Sequence, residues 1–334
     1  MTRAAIDRST DVGTDLIERA FDPARDFPAV VELIGDVDRF DEVPYFPNVA
    51  GLEVDWAPAP TFDPPNDLRL IFDADRLVAA GGHDWRERDG KVIHTIELWV
   101  RPDARRRGLG TRLLAWAEAR AREAVATGDG GPRELPHLLS MGTSTSIAAA
   151  LAFAEAHGYA PVRYSFGMRR DLSEPIPDVP LPPGLEVRPV TPDQHRRIWD
   201  ADVEAFRDHW EAAVRNDADF EQHYRHPEID TSLWQVAWDG DEVAGSVMNG
   251  IYVDENRELG VDLGWLDHVS VRRPWRGRGL AGALIARSLV ILKERGMAEA
   301  ALGVDAENPT GALGLYERYG FRVRETWVKL RKPF

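Results

Sequence analysis

The chain has 334 residues, the length of about two average domains, so a single small domain is excluded. With 41 Lys and Arg against 56 Asp and Glu the formal charge is −15, which argues against a nucleic-acid-binding surface, and the absence of Cys removes disulfides, thiolate nucleophiles and cysteine-held metal. A hydrophobic share of 43% supports ordinary cores, while no apolar run of about 18 residues occurs and the first twenty residues lack the apolar stretch of an export signal, so a non-membrane, cytoplasmic protein is expected.

In chain order, the first half reads as a strand and helix, a meander, and a β-α-β-α unit closed by terminal strands. Residues 76–81 (RLVAAG) end one strand of a hairpin, and Leu113, Leu114, Ala117 and Ala121 share one face of a later helix. Residues 171–184 carry prolines at 175, 177, 180, 182 and 183, a run that cannot supply regular backbone donors and reads as a linker. Beyond it, residues 185–190 (LEVRPV) form a short alternating strand, and Thr191 caps a helix whose first position is Pro192. Strands follow at 233–240, 242–253 and 264–271, with Asp239-Gly240 as the first turn. Residues 280–295 switch to helical spacing, with Ala281, Leu284, Ile285, Ser288 and Leu292 on one face, and a strand, a helix and one or two final strands complete the chain.

The halves repeat each other. Residues 100–110 match residues 271–281 without a gap, 242–246 answer 76–81, and 316–321 (YERYGF) answer 154–159 (AEAHGY). Duplication predicts an α+β protein of two tandem domains, 1–170 and 185–334, joined by 171–184, each with a mixed, mostly antiparallel sheet flanked by helices.

The sharpest local signal is Arg276-Gly277-Arg278-Gly279-Leu280-Ala281, between a strand and an amphipathic helix. Its glycines let the backbone turn so that helix-terminal N–H groups face an anion such as pyrophosphate. It lacks the longer glycine pattern of a dinucleotide fold and the Lys-Ser/Thr pair of a P-loop, and by itself fits an ordinary tight turn equally well.

Together with Asn308, Gly311, Ala312, Leu315, Tyr316, Gly320 and Phe321 after the next strand, this order resembles the GCN5-related N-acetyltransferase superfamily. The superfamily's signature is Arg or Gln, two residues, Gly, one residue, then Gly or Ala. Arg276, Gly279 and Ala281 fit it, and Arg105, Gly108 and Gly110 fit it again. The likeness covers about 75–170 and 185–334, and its tandem layout is similar to that of the mycothiol synthases, whose acceptor-binding residues are not matched here.

The resemblance implies acetyl-coenzyme A, or another acyl-coenzyme A, as donor, and no metal. It implies that backbone N–H groups of Gly277 to Ala281 hold the pyrophosphate with help from Arg276 and Arg278. Val269 and Val271 would pair with the pantetheine amides. Asn308 would touch the pantetheine arm, its competing role being a helix cap before Pro309. Tyr316 takes the position that protonates the departing thiolate. Asp267, nine residues before Arg276, is the expected base, water-positioning group or amine anchor; Trp265, at another usual base position, is a core or acceptor-wall residue. Strand alternation predicts that Asp267 and His268 face opposite ways, so that one of them meets the acceptor: Asp267 is the expected one, His268 the alternative base, and a structural polar contact the competing role for either.

Arg105, Arg106, Arg107, Gly108, Leu109 and Gly110 offer a second cofactor site. There Ala154 stands opposite Tyr316 and Ser146 opposite Asn308, Phe153 and Tyr159 lie near that place but have either no hydroxyl or the wrong register, and His94 has no accompanying acid. The first half is therefore expected to be inactive or weakly active. The expected reaction is direct attack of a small-molecule primary amine on the thioester, with a protein amino group as the other acceptor and non-catalytic acyl-coenzyme A sensing as the other function class. Duplication favours a monomer over a dimer, since one chain supplies a two-domain cleft.

Overall fold

The computed structural model describes residues 16–308 and 311–334. The expectations for the amino-terminal stretch up to residue 15 and for Pro309 lie outside the described residues. In the first half β1 (Leu16–Ala20) leads to α1 (Phe27–Asp41), the short α2 (Val49–Asp55) and α3 (Pro64–Asp67), and the meander β2 (Leu68–Asp73), β3 (Arg76–Arg88) and β4 (Lys91–Val100). Next come α4 (Leu109–Thr127), β5 (His137–Ser144), α5 (Ala148–Ala156) and β6 (Ala160–Asp171). The second half holds β7 (Glu186–Arg188), α6 (His195–Phe206), α7 (Asp217–Arg225), β8 (Gln235–Asp239), β9 (Glu242–Gly250) and α8 (Val253–Leu259). It ends with β10 (Leu263–Val271), α9 (Leu280–Glu294), β11 (Glu299–Asp305), α10 (Ala312–Arg318) and β12 (Arg322–Pro333).

The fold is α+β with a mixed, mostly antiparallel sheet, as the patterning predicts. The helix faces read from sequence are the buried ones, with Leu113, Leu114, Ala117 and Ala121 in α4 and Leu284, Ile285, Ser288 and Leu292 in α9, except that Ala281 is only half-buried. Thr191 opens α6 through a short turn in which the Gln194 side chain accepts from the Thr191 N–H at 3.1 Å. Residues 172–185 hold no helix or strand, yet Ile176 and Leu181 pack against the second-half core, so the proline-rich stretch is anchored.

Topology goes beyond two separate sheets. The described strands form one sheet in the order β1-β2-β3-β4-β5-β12-β6-β11-β10-β9-β8-β7. The strand that closes the first half, β6, pairs antiparallel with β11 of the second, and β12 pairs with β5 of the first. Each half thus supplies an edge of the other's sheet.

The two parallel pairs are short. β4 and β5 are in register only from Val92↔His137 to Thr95↔Ser140, and β10 and β11 only from Leu263↔Glu299 to Trp265↔Ala301. Beyond those points the strands run on without pairing to each other, leaving a wedge whose inner edges keep unpaired backbone donors and acceptors.

Candidate functional site

In the second half the wedge lies between the ends of β10 and β11. Val269 and Val271 pair on one side with Val247 and Gly245 of β9, leaving their other edge toward the wedge. β10 then runs into the glycine turn, where Gly277 has φ 74° and Gly279 φ 86°, values that disfavour any residue with a Cβ. A Cβ at either glycine would meet nothing within 4 Å, and residues 277–279 are exposed, so the turn faces open space. Gly279 gives α9 no side-chain cap, so its first-turn N–H groups, from Leu280 and Ala281 onward, are available to an anion.

The arginines of the turn divide their work differently from the sequence expectation. Arg276 donates from Nε to the Val271 carbonyl at 2.9 Å, and from its Nη atoms to Asp208 at 2.7 Å and the Ala205 carbonyl at 3.0 Å. Its guanidinium therefore clamps the turn to the end of α6 rather than reaching outward. Arg278 is exposed and has no ion pair among the described residues. Arg105 repeats the clamp, with Nε on the Val100 carbonyl at 3.2 Å and a fork on Asp41 at 2.8 and 2.6 Å.

After β11 the chain reaches Asn308, whose N–H donates to the Asp305 carbonyl at 3.1 Å. Gly311, at φ 73°, is the residue that opens α10. Tyr316 on α10 is 6% exposed, edge-on to Phe321 at 6.1 Å, and its hydroxyl has no hydrogen-bond partner among the described residues. Burial pushes its pKa up to about 12, so the phenol holds its proton at neutral pH.

At the other end of β10 the two halves enclose a cavity of about 750 Å³. The first half contributes residues 43–48 and Asp55; the second contributes α7, Tyr252, Glu255, Trp265, Asp267 and His268, with Leu302 and Gly303 from β11. The expectation that Asp267 and His268 face opposite ways is corrected here. Leu266 pairs with Asn249 and His268 with Met248, leaving Asp267 as the extra residue of a bulge, which resets the alternation and brings both side chains to the cavity. Trp265 is a cavity wall rather than simple core.

Asp267 accepts a hydrogen bond from the Tyr252 hydroxyl. A Cβ on Gly250 would lie 2.6 Å from Asp267 Oδ2 and 3.0 Å from the Tyr252 hydroxyl oxygen, so a side chain there would push the pair from its present place. Asp267 is exposed within the cavity, which opens to solvent; the protein packed around it raises its pKa to about 6 while Tyr252 pulls it back. His268 donates from Nδ1 to Asp202 Oδ2 at 2.9 Å. Burial works against its charged form, but the charge and hydrogen bond of Asp202 outweigh it and raise the pKa. Burial also raises Asp55 and Glu228, with His226 acting against it at both, and takes Glu255 to about 7, so carboxyls from both halves hold their protons more tightly than in water.

The turn and Tyr316 do not line this cavity. They connect to it along β10 and β11, whose residues 267–268 and 302–303 reach the cavity and whose ends lead to the turn and to α10. Sequence reading misses Asp202, Tyr252 and Glu255, none of which carries a motif.

In the first half Arg106 takes φ 66° and Gly108 φ 78°, so the turn keeps its shape with a strained arginine where the second half has Gly277. Arg107 is spent on Asp73 at 2.8 Å, and Leu109 is buried. A Cβ on Gly110 would be 3.4 Å from the Phe153 ring, and Ala154, opposite Tyr316, is buried. His94 is sealed between His83 and His137 at 3.0 and 2.9 Å, and burial drives its pKa down to about 3.

The acetyltransferase (GNAT) family model matches residues 12–159 and 195–321. A mycothiol acetyltransferase of Geodermatophilus obscurus is 31% identical over 241 residues, 71% of this chain and 73% of that protein. A GCN5-related N-acetyltransferase from Sphaerobacter thermophilus superposes with TM-score 0.72 at 29% identity, covering 96% of both chains. A tandem GNAT protein from the clavulanic acid biosynthesis pathway, at 18% identity, shares the fold with TM-score 0.68 over 95% of this chain and 98% of its own.

Proposed function

Because this chain belongs to the acetyltransferase (GNAT) family and is a GNAT-type N-acetyltransferase, we propose that it moves an acetyl group from acetyl-coenzyme A to a primary amine of a small molecule. The observation that carries this reading is the continuous path along β10. It joins an exposed glycine turn, an unpaired strand edge at Val269 and Val271, and a carboxyl-lined cavity at Asp267.

The fit to an acyl-coenzyme A rests on that open turn and wedge. The bound thioester supplies an activated carbonyl and a thiol leaving group. The N–H groups of residues 277–281, with Arg278, hold the pyrophosphate, while Arg276 fixes the turn through Asp208. Asn308 borders the arm after β11. Tyr316, kept protonated by burial, delivers its hydroxyl proton to the leaving sulfur. Asp267, held by Tyr252, binds the acceptor as its ammonium and orients it, so positioning and not a protein nucleophile lowers the barrier.

On this reading residues 185–334 form the catalytic half and 1–170 an inactive partner, linked by 171–184, that walls the acceptor cavity. Both walls come from one chain, which supports a monomer; light scattering across protein concentrations checks this. A cavity of about 750 Å³ walled by both halves has room for a small amine. The relatives' name makes mycothiol-related acceptors the first to try.

The test is thiol release from acetyl-coenzyme A across an amine panel, with mass detection of the acetylated product. Saturable release with at least one amine is expected. Tight acyl-coenzyme A binding with no release across the panel would replace this function with ligand sensing.

A further inference from the structure

The amine-acceptor reading leaves open which group takes the proton that an ammonium must lose before it can attack. Asp267 is poorly placed to take it: Tyr252 already donates to its carboxylate, and as an anion it is the natural anchor for the ammonium. The neighbouring side chain is arranged differently. Because of the bulge His268 lines the same cavity, and its Nδ1 is engaged by Asp202 at 2.9 Å. That bond fixes the tautomer with hydrogen on Nδ1 and leaves the Nε2 lone pair free. Nε2 has no protein partner among the described residues and is not sealed off from the cavity.

Asp202 itself is 6% exposed, and its second oxygen, Oδ1, is buried without any hydrogen-bond partner. A buried carboxylate in that condition is costly unless a cation sits beside it. The cation forms when His268 accepts a proton. The groups facing the ring are Asp202 from α6, Asp267 from its own strand, Arg215 from the segment between α6 and α7, and His223 from α7, with the Phe206 ring at 5.2 Å. Two carboxylates against one arginine leave a balance that favours an imidazolium.

We propose that His268 is the catalytic proton acceptor for the amine, with Asp202 as its positioning residue, an inference that rests on the amine-acceptor reading above. His268 Nε2 takes one proton from the bound ammonium. The freed nitrogen lone pair forms the C–N bond as the C–S bond breaks, and the sulfur receives the Tyr316 proton. The attacking nitrogen then loses its second proton to solvent, leaving the amide N–H; His268 releases its proton to solvent and Tyr316 regains one from it.

Two variants and two readouts test it. His268→Asn keeps a donor near the place of Nδ1 for Asp202 but removes Nε2; it should lower kcat by about 100-fold or more and abolish the acidic limb of the kcat profile, leaving the acid-side rise in KM that Asp267 sets. Asp202→Asn should shift the acidic limb of kcat/KM to lower pH by about one unit or more with little change in KM for the amine. Imidazole NMR titration of the unliganded chain supplies the second readout: His268 should titrate above the ordinary 6.5 and move down in Asp202→Asn. An active enzyme whose kcat and pH profile are untouched by His268→Asn, or a His268 titration indifferent to Asp202→Asn, overturns this proposal alone. A wild-type chain that binds acetyl-coenzyme A and acetylates no amine removes the acceptor reading together with it.

Discussion

The two halves keep the same turn and differ in what surrounds it. Both signature arginines, Arg105 and Arg276, make the same clamp to a strand-end carbonyl and to an aspartate near the end of the half's first helix. Past the clamp they part: the second half has glycine at 277, an open first turn of α9 and Tyr316, while the first has a strained Arg106, Phe153 against Gly110, and Ala154. The signature arginine and glycines therefore report a way of turning a strand into a helix, and chemistry is decided by the residues around them.

The comparison is broken most sharply at Tyr316. Tyr316→Phe should reduce kcat by about 100-fold, whereas Arg105→Ala should leave thiol release near wild type; the opposite pattern moves catalysis to the first half. A smaller effect is expected from Tyr252→Phe. Loss of its hydrogen bond removes a force that lowers the Asp267 pKa, so that pKa rises above about 6, and KM for the amine should climb on the acidic side of neutrality.

Exchange of the turn residues sharpens the contrast in stability. Gly277→Arg imposes on the second half the strain Arg106 already bears and should cost about 1 kcal/mol in urea unfolding. Arg106→Gly should change stability little, because the relieved strain is offset by the greater freedom glycine has when unfolded.

A pH-dependent effect lies on α1. Burial, with Asp41 and Glu97 nearby, lifts the buried Asp38 from 3.8 to about 7. The folded state holds that proton more tightly than the unfolded chain, so its favourable contribution is full below about pH 4 and is lost as pH rises through 7. Asp38→Asn should therefore stabilise the protein at pH 8, with the gain shrinking toward pH 4, as thermal melts at several pH values will show.

Local signals were readable wherever a chemical constraint acts within a few residues. The turn at 276–281, the faces of α4 and α9 and the proline-rich break at 171–184 follow from backbone sterics and helical period alone. The Asp267–His268 pair was misread because alternation assumes an unbroken ladder, and a bulge depends on the partner strand. The outward role expected of the Arg276 guanidinium failed for a related reason: Asp208 lies 68 residues away along the chain.

By itself the sequence determined the duplicated α+β plan, the family and the glycine turns, since these are written in short-range patterns that repeat. Only the tertiary structure decided that β6 and β12 cross into the opposite halves, that two half-sheets become one, and that a cavity walled by both gathers Asp267, His268 and Asp202. Strand partners far apart in the chain are chosen by which edges are left unpaired once everything else has packed, and that choice has no local trace in the residues that make it.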